Sequence, residues 1–190
     1  MPHPVAQLYQ SPNTVLTSRD LALLWRETDP RKLNAKAAYY VRQGILIRLI
    51  RGVFARSGEY DPRELPASLY SPAYLSFETA LRDAGIIFQH YETLYAASRL
   101  STTMRVDQTE IKFRKLKDEL LYNPAGIQSK GAYSIAGPER AFLDTIYLFP
   151  RYYFDNLTAI DWEKCKDLAL MYNNRQMIKR LDKYRIAHVG

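Results

Sequence analysis

The chain has 190 residues, 47% hydrophobic and 25% charged, which are proportions of a folded protein and exclude general disorder. Lys and Arg number 27 against 20 Asp and Glu, a net charge of +7, so an anionic partner is favoured, either nucleic acid or an acidic membrane face. One cysteine, Cys165, excludes an internal disulfide and a zinc site built from thiolates, and no apolar run approaches the ~20 residues of a membrane span.

The start, Met1-Pro2-His3-Pro4, lacks a basic segment followed by an apolar one, so no signal peptide is expected and a reducing cytoplasm is the default location. Val15-Leu16 reads as a short strand. Thr17, three residues before Asp20, forms a capping-box-like start for a helix carrying Leu21, Leu24 and Trp25 and running to about Glu27. Asp29-Pro30 is a second start signal, because Asp caps orphan amides and Pro fits the first helical position. Leu33, Ala37, Tyr40 and Val41 then recur at helical spacing, and Gly44 stops the helix.

Ile45-Leu46-Ile47-Arg48-Leu49-Ile50 and Val53-Phe54-Ala55-Arg56 flank Arg51-Gly52, which predicts a β-hairpin with a tight turn. Helix, turn, helix and basic hairpin in this order is the winged helix-turn-helix plan. With Leu33, Ala37, Tyr40 and Val41 inward, the opposite stripe of the second helix is Arg31, Ala35, Ala38 and Arg42, flanked by Lys32, Lys36 and Tyr39. Such a stripe suits a major groove: Arg reaches guanine edges or phosphates, and alanines allow close approach. Arg48, Arg51 and Arg56 on the wing would meet phosphate or minor groove, and Arg19 a phosphate. Tyr39 either joins this face or covers the hairpin. A basic helix face is also compatible with simple solvation or protein contact; order, caps and charge together favour double-stranded DNA.

The charge supports that choice. Residues 1–56 carry nine basic and three acidic groups, +6, leaving +1 for the remaining 134. Ser57-Gly58-Glu59-Tyr60-Asp61-Pro62 is rich in turn formers and marks the expected boundary between a 1–56 DNA-binding domain and a 57–190 α+β domain.

In the second region, Leu65 and Leu69 suggest an irregular helical piece. Ser71-Pro72 is expected to start a helix with Phe77, Ala80, Leu81 and Ala84 inward, ended by Gly85. Ile86-Ile87-Phe88 and Leu94 to Ala97 read as strands, Ser101-Thr102-Thr103 as a polar loop, and Glu110-Ile111-Lys112-Phe113 and Tyr133-Ser134-Ile135 as strands. Gly137-Pro138-Glu139-Arg140 opens a helix with Ala141, Phe142, Thr145, Ile146 and Phe149 inward and an Arg140–Asp144 pair on its surface. Asp161 caps a helix carrying Cys165, Leu168, Ala169 and Tyr172; after Asn173-Asn174, Met177, Ile178, Leu181 and Tyr184 define the last. The fold class expected is α+β.

Little suggests catalysis. No phosphate loop, His-Glu-x-x-His helix or Gly-x-Ser-x-Gly elbow occurs, and His3, His90 and His188 lack ligand spacing, so no cofactor and no metal are expected. Glu110-Ile111-Lys112 has the Glu-x-Lys form of Mg²⁺-dependent nucleases, but Asp107 is too near to be the upstream acid and Asp83 falls inside a predicted helix. Charge alternation on a strand face explains it equally, so a non-enzyme is expected. Cys165, on an apolar stripe, reads as a buried structural thiol.

Four segments together resemble the AbiEi-type antitoxins of bacterial type IV toxin–antitoxin systems. They are Val15-Leu16-Thr17-Ser18-Arg19-Asp20-Leu21-Ala22, Gly44-Ile45-Leu46-Ile47-Arg48-Leu49-Ile50-Arg51-Gly52-Val53-Phe54-Ala55, Tyr74-Leu75-Ser76-Phe77-Glu78-Thr79-Ala80-Leu81 and Ala136-Gly137-Pro138-Glu139-Arg140-Ala141-Phe142-Leu143-Asp144. The resemblance implies an N-terminal winged helix that represses its own operon and a C-terminal antitoxin domain. It also implies a nucleotidyltransferase toxin as functional partner, without need of a stable complex.

Overall fold

A computed structural model describes residues 3–56, 58–89 and 92–189. Ser57 of the expected boundary, and His90, lie outside the described residues. The chain is mixed α+β, as expected.

The fold begins with a helix the periodicity did not reveal, α1 (Pro4–Gln10), whose start is capped by the His3 ring accepting from the Val5 N–H. After it come β1 (Val15–Thr17), α2 (Ser18–Trp25), α3 (Pro30–Arg42), β2 (Ile47–Ile50) and β3 (Val53–Ala55). The strands form an antiparallel sheet in the order β1-β3-β2, with Leu16 opposite Phe54 and Arg48 opposite Phe54 on its other side. Each helix starts where local chemistry placed it. Thr17 Oγ1 accepts from the Asp20 N–H while Asp20 accepts from the Thr17 N–H, and the Asp29 carboxylate accepts from Arg31 and Lys32 N–H groups. Leu8, Leu16, Leu21, Trp25, Leu33, Ala37, Tyr40, Leu46 and Phe54 close one core around these elements. α1 is bound into it by Leu8 and by the Trp25 indole, which donates to the Pro4 carbonyl.

Beyond a short 3₁₀ turn (Pro62–Glu64), the chain forms α4 (Leu65–Leu69), β4 (Tyr74–Leu75), α5 (Phe77–Asp83), β5 (Leu94–Ser98), β6 (Thr102–Val106), β7 (Thr109–Lys115), α6 (Asp118–Leu121), β8 (Ile127–Ser129), β9 (Ser134–Ala136), α7 (Pro138–Leu148), α8 (Trp162–Ala169) and α9 (Arg175–Val189). A mixed sheet runs β6-β7-β5-β4-β9-β8, with parallel pairs β5/β7 and β4/β9. Helices α5, α7, α8 and α9 pack together with it around the larger core.

Four expectations are corrected here. The helix after Ser71-Pro72 starts only at Phe77, because Tyr74 and Leu75 pair with Ala97 and Ala96 of β5; a strand of two residues shows no periodicity. Ile86-Ile87-Phe88 is not a strand: the Ile86 carbonyl accepts from the Asp155 and Asn156 N–H groups instead of from a sheet neighbour. Thr102-Thr103 belong to β6, an edge strand whose partner β7 supplies the register that polar residues conceal. Phe149 is 36% exposed just past the end of α7, where the helical face no longer points inward.

The turn from β4 into α5 is sharp. Phe77 adopts φ +53° while fully buried, a left-handed conformation that costs an L residue about 1–2 kcal/mol. Complete burial of its ring contributes about 1.5–3 kcal/mol in return.

Glu64 joins the two halves. Its carboxylate, 5% exposed, accepts from the Thr14 N–H, the Thr14 hydroxyl and the Val15 N–H at 2.7–3.1 Å. Val15 and Val53 of the first sheet also pack in the second core.

Candidate nucleic-acid interface

Helix α3 buries Leu33, Ala37 and Tyr40, with Val41 against the same core, so its opposite side faces solvent. On that side Arg31, Lys32, Ala35, Tyr39 and Arg42 are exposed, and Lys36 and Ala38 are half-buried. Lys36 leans back, its ammonium 4.6 Å from the centre of the Trp25 ring. Tyr39 sits edge-on to Tyr40, centroids 5.3 Å apart, and is 50% exposed.

The hairpin lies alongside. Gly52 takes φ +81° at its turn, a conformation open to glycine at little cost, and its carbonyl accepts from the Ser18 N–H at 2.8 Å. The turn is thereby seated on the first turn of α2, next to the exposed Arg19. Arg48 and Arg51 are exposed, and the Arg48 guanidinium lies 5.6 Å from the Phe54 ring.

Between α3 and the hairpin runs a groove of about 510 Å³. Asn34, Ala35 and Ala38 form one side, Arg48, Arg51, Gly52 and Phe54 the other, and Ser18 one end. The small alanines leave the groove open and the arginines line it. Asn34 and Ser18 escaped the sequence reading. Asn34, three residues after Arg31 and four before Ala38, shares the face of the stripe and was passed over only because it carries no charge; an asparagine is suited to reading adenine.

The electrostatics are one-sided. Among the described residues, Arg19, Arg31, Lys32, Lys36, Arg42, Arg48 and Arg51 make no ion pair. The three acids of this region serve the backbone: Asp20 and Asp29 cap helices and Glu27 accepts from the Asp29 N–H. Arg31 and Lys32 also stand at the positive end of the α3 dipole, which a helix alone disfavours and an approaching phosphate relieves. Arg56 is placed differently from the others. Its guanidinium donates to the Leu8 and Ser11 carbonyls at 3.2 and 2.9 Å and stacks on Tyr9, closing the C-terminal end of α1.

The second half holds its polar groups in pairs. Arg140 and Asp144 do pair, at 3.2 Å, but both side chains are fully buried, which corrects the surface placement. Asp144 also accepts from the Tyr74, Ser76 and Tyr172 hydroxyls, and Arg140 donates to the Leu120 and Ala125 carbonyls and to Tyr74. Burial pushes the Asp144 carboxyl and the Tyr74 and Tyr172 phenols up. Arg140 would be lowered by burial alone, but the facing Asp144 holds it protonated. Gly126, at φ +75°, lies against this pair: a Cβ there would stand 2.9 Å from that of Arg140.

Glu110 and Lys112 lie on β7, ion-paired at 3.3 Å, with Thr93 donating to Glu110 and holding its carboxyl low together with Lys112. Among the described residues no three His, Cys, Asp or Glu side chains gather as a metal site. Cys165 is fully buried, and burial pushes its thiol up, which suits packing. Among the described residues no helix is long and apolar enough to cross a membrane.

No protein-family model matches the chain, and no curated protein matches it.

Proposed function

We propose that this protein is a sequence-specific DNA-binding antitoxin that represses its own operon. In this reading residues 1–56 form a winged helix-turn-helix. The α3 helix enters the major groove and the β2–β3 hairpin is the wing on phosphate or minor groove. The observation that carries it is the groove with alanines on one side and Arg48 and Arg51 on the other, in a region where seven cations make no ion pair among the described residues and whose acids are all used by the backbone. Arg31, Arg42 and Asn34 read bases; Arg19, Lys32, Lys36, Arg48 and Arg51 meet phosphates; Ala35 and Ala38 permit the approach and Tyr39 borders it.

Residues 57–190 act as the antitoxin domain that counteracts a nucleotidyltransferase toxin in a cytoplasm. Here the support is the resemblance of the Tyr74–Leu81 and Ala136–Asp144 segments. No catalytic step and no cofactor is assigned to the protein. A gel shift on the protein's own promoter tests the DNA reading, and rescue of toxin-inhibited growth by co-expression tests the antitoxin. Absence of a specific band overturns the first, and failure of rescue by a folded protein the second. A second reading, a winged-helix transcription regulator whose second region senses a ligand, draws on a cationic cavity beneath α9.

A further inference from the structure

The near-neutral second half conceals a separation of charge. Helix α9 carries Arg175, Lys179, Arg180, Lys183 and Arg185 against Asp182 alone, while residues 57–174 hold 13 basic and 16 acidic groups. Arg175, Lys179 and Lys183 succeed one another at four-residue spacing, an arrangement of like charges that disfavours a helix. None of the three makes an ion pair among the described residues.

A cavity of about 570 Å³ lies where this helix meets Pro150 and Arg151, at the end of α7. Its size is within the range of small-molecule sites. The exposed Arg151, Lys179 and Lys183 line it, with Arg180, His188 and the apolar surface of Pro150, Tyr184 and Ala187. Among the described residues no carboxylate lines it. Two of these groups are held in place: Arg180 donates to the Ile146 carbonyl at 2.8 Å, and the Tyr184 hydroxyl donates to the Tyr152 carbonyl. The Tyr184 ring is fixed between Phe142 and Phe154, at 5.6 and 5.4 Å. The His188 Nδ1 faces the Tyr184 carbonyl at 2.9 Å, so this nitrogen carries the proton.

We propose that this cavity binds a nucleotide, with its phosphates on Arg151, Lys179 and Lys183 and its base against the wall of Pro150, Tyr184 and Ala187. Several cations with no acid among them suit a multiply charged group, and the apolar wall suits a planar body that inorganic phosphate lacks. The site is separate from the α3 groove and does not depend on the DNA reading.

Calorimetric titration of the full chain with ADP, GDP, adenosine and pyrophosphate tests it. ADP or GDP is expected to bind saturably at one site per chain, and adenosine and pyrophosphate each at least about tenfold more weakly, since each lacks half of the contacts. The double variant Lys179→Glu/Lys183→Glu, both positions exposed, should lose about tenfold or more in affinity with an unchanged circular dichroism spectrum. The double variant Arg31→Ala/Arg51→Ala should bind the nucleotide as the parent does. Absence of saturable binding by either nucleotide overturns the proposal. So does an affinity untouched by the α9 substitutions, or lost with the N-terminal ones. If the α9 variant instead weakens duplex DNA binding and no nucleotide binds, the cations belong to a nucleic-acid surface and the proposal fails.

Discussion

Arg140 and Asp144, one turn apart on α7, form an ion pair at 3.2 Å with no exposed surface on either side chain. The pair is also the centre of a hydrogen-bond network that reaches β4 through Tyr74, the β4–α5 turn through Ser76, the loop before β8 through Ala125, and the segment after α8 through Tyr172. Desolvating two charges is costly, and here the cost is offset because every lone pair of the carboxylate and most guanidinium protons find partners.

Removing one partner should therefore be severe. Asp144→Asn leaves the guanidinium buried without its counter-charge and is expected to cost about 3–5 kcal/mol of stability. Urea denaturation measures it, and a loss below about 1 kcal/mol, the value of an exposed pair, would show that water reaches the site.

Glu64 is a second buried anion, and its partners are uncharged donors of Thr14 and Val15. Glu64→Ala strands those donors where the two halves meet. A loss of about 1–3 kcal/mol in denaturation is expected, with greater protease sensitivity near Thr14. A variant as stable and as resistant as the parent contradicts the joining role.

Stability should fall on the alkaline side. Burial raises the Cys165 thiol above its ordinary 9.0 and the Tyr74, Tyr172 and Tyr184 phenols above their ordinary 10.0. Groups raised by folding bind protons more tightly when folded, so their contribution is full below the unfolded values and is lost as pH climbs through and beyond them. The melting temperature is expected to decline from about pH 9 upward, and Tyr172→Phe should flatten that decline.

DNA affinity should respond to salt and to single arginines in different ways. If about six phosphates are neutralised, log affinity should fall against log salt with a slope near −5. Arg31→Ala or Arg42→Ala should cost about 1–3 kcal/mol on the operator and little on unrelated duplexes. Arg51→Ala should weaken both alike and reduce the salt slope by about one. Fluorescence anisotropy on both duplexes at several salt concentrations separates these outcomes; a single common effect would remove the division into base and phosphate contacts.

Arg56 provides a contrast within the same hairpin. Because its guanidinium is bonded to the Leu8 and Ser11 carbonyls, Arg56→Ala should lower thermal stability through release of α1. The stability loss is expected at about 1–2 kcal/mol, with a smaller change in DNA affinity than Arg51→Ala gives.

The N-terminal elements were legible in the sequence because their signals are local. Thr17 with Asp20, Asp29 with Pro30, and Arg51-Gly52 between apolar runs act within four residues, and each formed the cap or turn expected. The stripe of α3 followed from its 3.6-residue repeat. Helix α1 was not legible, since its anchors, Leu8 and the Pro4 carbonyl under Trp25, depend on residues more than a dozen positions away.

The sequence by itself determined the caps, the buried face of α3 and the concentration of positive charge in the first 56 residues, since these depend on neighbours along the chain. Only the tertiary structure decided that Arg140 and Asp144 are internal, that Glu64 bridges the halves, and that Asn34 meets the hairpin. It also decided that cations of α9 line an open cavity with Pro150 and Arg151. Each of those depends on desolvation and on contacts between distant segments, and helical spacing, which gives the same four-residue separation to a solvated pair and a buried one, carries no information about either.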